Sequence, residues 1–243
     1  MIQGNARLHK GFTLIELMLS MTFVSVLLLA IAMTVIQIGN IYSKGMALKD
    51  INQSSRTFSD DVRRTVAAAG AVTINSDTFI QTSVAGKVVS GRLCLGNYSY
   101  IWNTADALPA QNEAFRMTAD STKLIGVVKV PDSASMYCAR TSGGALSITR
   151  TLRTQDVARA TELLTKGDHT LSLTNFTVET ANGVHNAATG QRLLTINYGI
   201  GTGAPTAMNA GRTACLAPGQ TNADPTYCNV QHFTMIVRSG GGN

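Results

Sequence analysis

A single carboxylate heads the longest apolar run of this 243-residue chain: Glu16 is followed by an uncharged stretch from Leu17 to Ile36. A membrane-spanning helix needs about 20 consecutive apolar residues, and a core helix rarely holds more than about 10 to 14. The stretch therefore predicts a helix in or across a bilayer. A carboxylate at hydrocarbon depth costs about 2.5–3.5 kcal/mol on insertion scales, so such a group is retained where a partner meets it. Glu16 is the first candidate functional residue. Arg7 and Lys10 precede it, and by the positive-inside rule their end stays cytoplasmic while the large C-terminal part lies outside.

The residues Lys10, Gly11, Phe12, Thr13, Leu14, Ile15 and Glu16, behind a short basic leader, resemble the processing site of type IV prepilins. The resemblance covers about the first 60 residues; beyond them there is a general likeness to the larger minor pilins. It implies that a prepilin peptidase cuts between Gly11 and Phe12, that Phe12 is then N-methylated, and that Glu16 is the fifth residue of the mature chain. In that family the carboxylate neutralises the amine of a neighbouring subunit, and the resemblance carries this role to Glu16. Elementary electrostatics gives it a reason. An amine on Phe12 and a carboxylate four residues along share one helical face, and each offsets the other's burial, within a chain or between chains.

The same resemblance implies the α+β fold of a pilin: a long N-terminal α-helix, membrane-spanning in its first half, packed on a β-rich globular head. The expected function is that of a structural subunit, a minor pilin, with roles in assembly priming, adhesion, motility or DNA uptake. Its expected partners are other pilin subunits, the prepilin peptidase, the inner-membrane pilus assembly machinery and, before assembly, membrane lipid. It would sit in a bacterial inner membrane as a single-pass protein and afterwards in an extracellular pilus or a periplasmic pseudopilus. A pseudopilin of a type II secretion system carries the same processing motif and is the alternative within this class. The usual helix breakpoint of pilins is a proline, and this helix has none.

Two other readings differ in kind. Ala30, Ile31 and Ala32 form a small-x-small triplet like that of an ordinary secretory signal, but Glu16 within the stretch and the apolar continuation through Val35, Ile36 and Ile38 oppose it. A membrane-anchored module binding a ligand or DNA would show salt-sensitive binding. The formal charge of +6, which falls to +4 without residues 1–11, is not gathered into a block, and no basic and aromatic interleaving supports DNA as a partner.

Beyond the helix, thiols are the groups able to do chemistry. Cys94, Cys138, Cys215 and Cys228 are an even set in a region placed outside the membrane, which favours disulfides. Three pairings are open; Cys94–Cys138 with Cys215–Cys228 is preferred, the second closing a loop worth about 3 kcal/mol of chain entropy. In many pilins such a C-terminal loop forms the exposed, partner-facing region. Zinc is disfavoured by the absence of C-x-x-C spacing and by His232 being the only histidine near a cysteine pair, with His9, His169 and His185 scattered. No H-E-x-x-H, G-x-S-x-G or phosphate-loop pattern occurs, and Asp60 with Asp61 reads as a solvated helix face. No catalytic residue, metal or cofactor is expected.

These groups need elements to hold them. Leu48, Ile51, Ser55, Phe58, Val62 and Val66 recur at spacings of three and four, the stripe of an amphipathic helix continuing the apolar one. One helix over 13–69 would be roughly 85 Å long. Gly39 and Gly45 are candidate bending points, and Gly70 a C-cap. The chain thus divides into a leader 1–11, a transmembrane helix 12–41, its amphipathic continuation 42–69 and a head 70–243. In the head, strands are expected at 72–74, 79–84, 87–89, 92–95, 98–102, 124–130, 135–139, 146–152, 170–179, 192–200 and 230–238, with a short helix at 155–164. Leu171 and Leu173 alternate out of phase with Phe176 and Val178, which predicts a bulge near Asn175.

Overall fold

The computed structural model describes residues 12–107, 113–119, 123–164, 170–185 and 188–240, the side chains of 182–185 aside. The leader, Gly11 included, lies outside the described residues. The fold is α+β. A 55-residue helix, α1 (Leu14–Ala68), is followed by β1 (Phe79–Val84), β2 (Lys87–Leu95), β3 (Tyr98–Asn103), β4 (Val127–Pro131), a one-turn α2 (Thr154–Val157), β5 (Thr161–Glu162), β6 (Leu171–His185), β7 (Arg192–Thr202) and β8 (Val230–Arg238). The chain forms two compact units, Met1–Ser43 and Lys44–Asn243.

The first unit is the apolar part of α1. It is long and apolar enough to cross a membrane, and its large side chains from Leu14 to Ile41 are exposed. Helical backbone continues through Gly39 and Gly45, and nothing lies within 4 Å of where their Cβ atoms would be.

In the second unit α1 buries Ala47, Ile51, Ser54, Ser55, Phe58, Val62, Thr65 and Val66. This is the expected stripe with Ser54 and Thr65 added and one exchange: Ala47 is fully buried while Leu48 stays on the rim at 38% exposure. The ring of Phe58 fixes the helix against both sheets at once, meeting Tyr100 on β3, Phe176 on β6 and Tyr198 on β7 edge-on, with centroids 6.4, 5.9 and 5.0 Å away. Such pairs add about 0.5–1.5 kcal/mol each beyond the area they bury. Gly70 ends the helix at φ +72°, the left-handed conformation a C′ residue takes most readily as glycine.

The strands form two antiparallel sheets, ordered β1-β2-β3-β4-β5 and β6-β7-β8. The register of β6 on β7 slips between Leu173 and Asn175, so Leu171, Leu173, Phe176 and Val178 all enter the core despite their phase change in the sequence. Several expectations are corrected. Residues 72–74 are not a strand; Val72 is buried as part of the loop that leaves the helix. Residues 135–139 are turn, because Asp132 accepts from the backbone N–H groups of Met136 and Tyr137 and bends the chain back. Residues 146–152 make only isolated bridges, at Leu146 and Thr151. The helix expected at 155–164 stops after one turn, since Thr161 and Glu162 pair with Lys129 and Val128 and the Glu162 carboxylate accepts from the N–H groups of Gly126 and Val127.

Candidate functional site

At the start of α1, Glu16 has a local partner that sequence reasoning missed. Thr13 N and Thr13 Oγ1 donate to Glu16 Oε2 at 3.0 and 2.8 Å, and Glu16 N donates back to Thr13 Oγ1 at 3.3 Å. This is a capping box, two side chains satisfying helix N–H groups reciprocally, and its signature T-x-x-E is present in the sequence at 13–16. A cap of this kind stabilises a helix start by about 0.5–2 kcal/mol. It also holds the carboxylate on a chosen side of the helix, with two donors on one of its oxygens. Phe12, the residue before the cap, is 84% exposed. Ser20, Thr22, Ser25 and Thr34 return their hydroxyl protons to helix carbonyls one turn back, so the uncharged polar groups of the apolar stretch are satisfied inside the helix.

The four cysteines join as Cys94–Cys138 and Cys215–Cys228, with Cα separations of 6.3 and 5.9 Å. The first ties β2 to the turn after Asp132. The second closes a loop of 13 residues' separation that runs into β8, with Tyr227 exposed beside it. His232 lies on the exposed side of β8 with Nε2 2.9 Å from the Thr213 carbonyl. His9 and His169 fall outside the described residues, as does the side chain of His185. Among the described residues no three of His, Cys, Asp and Glu are placed to hold a metal.

Asp60 is exposed, whereas Asp61 is half-buried with partners on the sheet, which corrects the expectation of a wet pair. Asp61 Oδ1 receives Lys129 Nζ at 3.0 Å and Asp61 Oδ2 receives the Tyr100 hydroxyl at 2.6 Å. Thr65 Oγ1 completes the group, 2.8 Å from Lys129 Nζ and 2.7 Å from Tyr100 Oη. Burial, then the bond to Asp61, pushes the Tyr100 phenol well above its ordinary range, so it is a neutral donor at any physiological pH. The sequence signal that separates Asp61 from Asp60 is slight: Asp61 is adjacent to Val62 and three residues after Phe58 on the buried stripe.

A second polar group is built on Arg92. Its guanidinium is 1% exposed, donates to the carbonyls of Tyr137, Ile148 and Thr149 at 2.6–2.8 Å and lies 4.6 Å from the centre of the Phe115 ring. Burial pulls its pKa down to about 10. Next to it Tyr137 donates to the fully buried Asp156 at 2.7 Å, and Arg153 reaches the same oxygen at 2.6 Å. Each of these side chains has internal partners, and together they pin long loops to the five-stranded sheet.

Most of the exposed large apolar side chains among the described residues lie on the apolar helix, beside its one capped carboxylate. Scans against protein-family models, curated proteins and solved structures find no match to this chain.

Proposed function

We propose that the chain is a prepilin-type structural subunit, cut between Gly11 and Phe12, methylated on Phe12, and assembled through the first part of α1 while the disulfide-bonded β-rich head faces outward. The observation that carries this reading is the position of Glu16: a lone carboxylate, five residues after Gly11, at the start of a helix whose large apolar side chains from Leu14 to Ile41 are all exposed. Such a surface is stable only when lipid or other helices cover it. A carboxylate within it calls for a cation, and an amine on Phe12 is the one that cleavage at Gly11 would create. The size of the head favours a minor subunit over the repeating one, since priming or tip roles need few copies.

The test is the N-terminus of the protein recovered from its native host, read by mass spectrometry. N-methylated Phe12 is the expected result. A chain still carrying Arg7 and Lys10, or one starting after Ala32, excludes assembly by this route.

A further inference from the structure

The two sheets of the head have four edge strands, and three of them are blunted. β1 has six residues with a register slip between Thr82 and Ser83, and β5 has two residues. β6 slips twice, bridges Thr104 through Leu173, and has its Phe176 carbonyl taken by Gln81 Nε2 at 2.8 Å. β8 has none of these protections. It pairs with β7 over nine residues without a slip, contains no proline or lysine, and on its other side pairs with no strand among the described residues. Its outer row is His232, Thr234, Ile236 and Arg238, all exposed, with Ile236 at 64%; its inner row carries Phe233, Met235 and Val237. A long, flat edge with one charge is a template for another strand, which natural sheets otherwise guard against.

We propose that this edge is a homodimer contact: β8 pairs antiparallel with β8 of a second copy about a two-fold axis at Thr234. The strand is self-complementary in that arrangement. All nine residues pair, Thr234 with Thr234, Phe233 with Met235, Ile236 with His232, Val237 with Gln231 and Arg238 with Val230. The inner row sets Phe233 against Met235 at its middle and Val237 against Gln231 at its ends, the centre is a favourable Thr–Thr pair, and no like charges oppose. Parallel in-register pairing would set Arg238 against Arg238, which the antiparallel register avoids. The contact is isologous and closed, so it yields a dimer of heads with a continuous six-stranded sheet that has only the interrupted strand β6 at its two edges. The inference rests on the sheet edges alone and does not depend on the proposed assembly of α1.

The native cysteines are all paired, so new thiols can be read cleanly. The full-length Thr234→Cys chain, oxidised mildly in the membranes of expressing cells, is expected to give a disulfide-linked dimer of twice the chain mass. Thr195→Cys on the interior strand β7 gives none, and adding Ile236→Lys to Thr234→Cys removes the dimer. Chains carrying His232→Cys and Ile236→Cys cross-link when co-expressed and not when expressed singly, which fixes the register with a second pair of variants. The proposal is overturned if the thiol introduced by Thr234→Cys reacts with a maleimide yet leaves the chain monomeric, if it is inaccessible and uncross-linked, or if the cross-linked partner has another mass.

Discussion

Tyr100 Oη lies 2.6 Å from Asp61 Oδ2, and this bond joins the amphipathic part of α1 to the middle of the five-stranded sheet. The phenol has one proton to give, and the carboxylate is its stronger acceptor, so Thr65 Oγ1 is left to accept from Lys129. The helix is thereby held by directional bonds on one side of its stripe and by Phe58 in the centre. Tyr100→Phe is expected to cost about 1–3 kcal/mol near pH 8, the range for leaving a buried charged partner short of a donor. Urea unfolding in mild detergent measures it.

The same residue sets a pH dependence whose sign follows from proton binding. Burial raises the pKa of Tyr100, and of Tyr137 and Tyr198, above the unfolded value of about 10. Above that pH the unfolded chain has released protons that the native chain still holds, so stability, complete below about pH 10, falls as pH rises further. The gap between wild type and Tyr100→Phe should therefore narrow between about pH 10 and about pH 11. Arg92, shifted the other way to about 10, acts alike in both proteins and cancels in the difference. A gap constant with pH would show that the phenol titrates normally.

Arg92→Met keeps much of the side chain's length but leaves three carbonyls, those of Tyr137, Ile148 and Thr149, without their donor. The expected loss is about 1–3 kcal/mol, the range for leaving backbone acceptors in the protein interior unsatisfied. Because those carbonyls belong to the loops after Asp132, hydrogen exchange should quicken over 136–152 before it does in β2 and β3. Uniform loosening of the whole head would contradict this.

What the sequence reveals follows how local each interaction is. β1 and β8 are found at their true ends because turn residues close by fix them locally, Asp77 and Gly86 around β1 and Asn229 and Gly240 around β8. The amphipathic stripe is legible because helix period is a local property, and its one error, Leu48 for Ala47, is a choice between adjacent faces that depends on how closely the sheet approaches. The segments read as strands at 135–139 and 146–152 follow other paths because side chains take their backbone groups in place of a ladder: Asp132, four residues away, at Met136, and Arg92, 56 residues away, at the Ile148 carbonyl. Asp61 is hidden for the same reason, its partners lying 39 and 68 residues away. The T-x-x-E cap at 13–16 is the opposite case, a wholly local signal that the attention to charge at Glu16 obscures.

Glycine substitutions distinguish close packing from tolerance. A Cβ on Gly91 would fall 2.3 Å from Cζ2 of the fully buried Trp102 and 3.0 Å from the Ile80 carbonyl, so Gly91→Ala must push either the ring or β1 aside. About 1–3 kcal/mol of destabilisation is expected. Gly45→Ala meets nothing within 4 Å and replaces a poor helix former, so it should be neutral or stabilise by up to about 1 kcal/mol. Thermal melts check the pair: Gly91→Ala lowers the midpoint, and Gly45→Ala leaves it unchanged or raises it.

The roles of Glu16 as cap and as charge can be separated. Glu16→Gln keeps an oxygen for the Thr13 donors and removes the charge; Thr13→Val keeps the charge and removes the hydroxyl that both donates to Glu16 and accepts from its N–H. If the carboxylate serves assembly by neutralising an amine, Glu16→Gln should leave the chain inserted in the membrane, processed to Phe12, and missing from sheared surface fibres. Thr13→Val should fray the first turn, lower helix stability by about 0.5–2 kcal/mol, and still enter fibres. The opposite pattern, Thr13→Val excluded and Glu16→Gln retained, would make Glu16 a capping residue alone and remove the charge pairing from the proposed function. Mass spectrometry of the leading peptide in both variants shows whether cleavage was unaffected, so that a loss of fibres reports assembly and not processing.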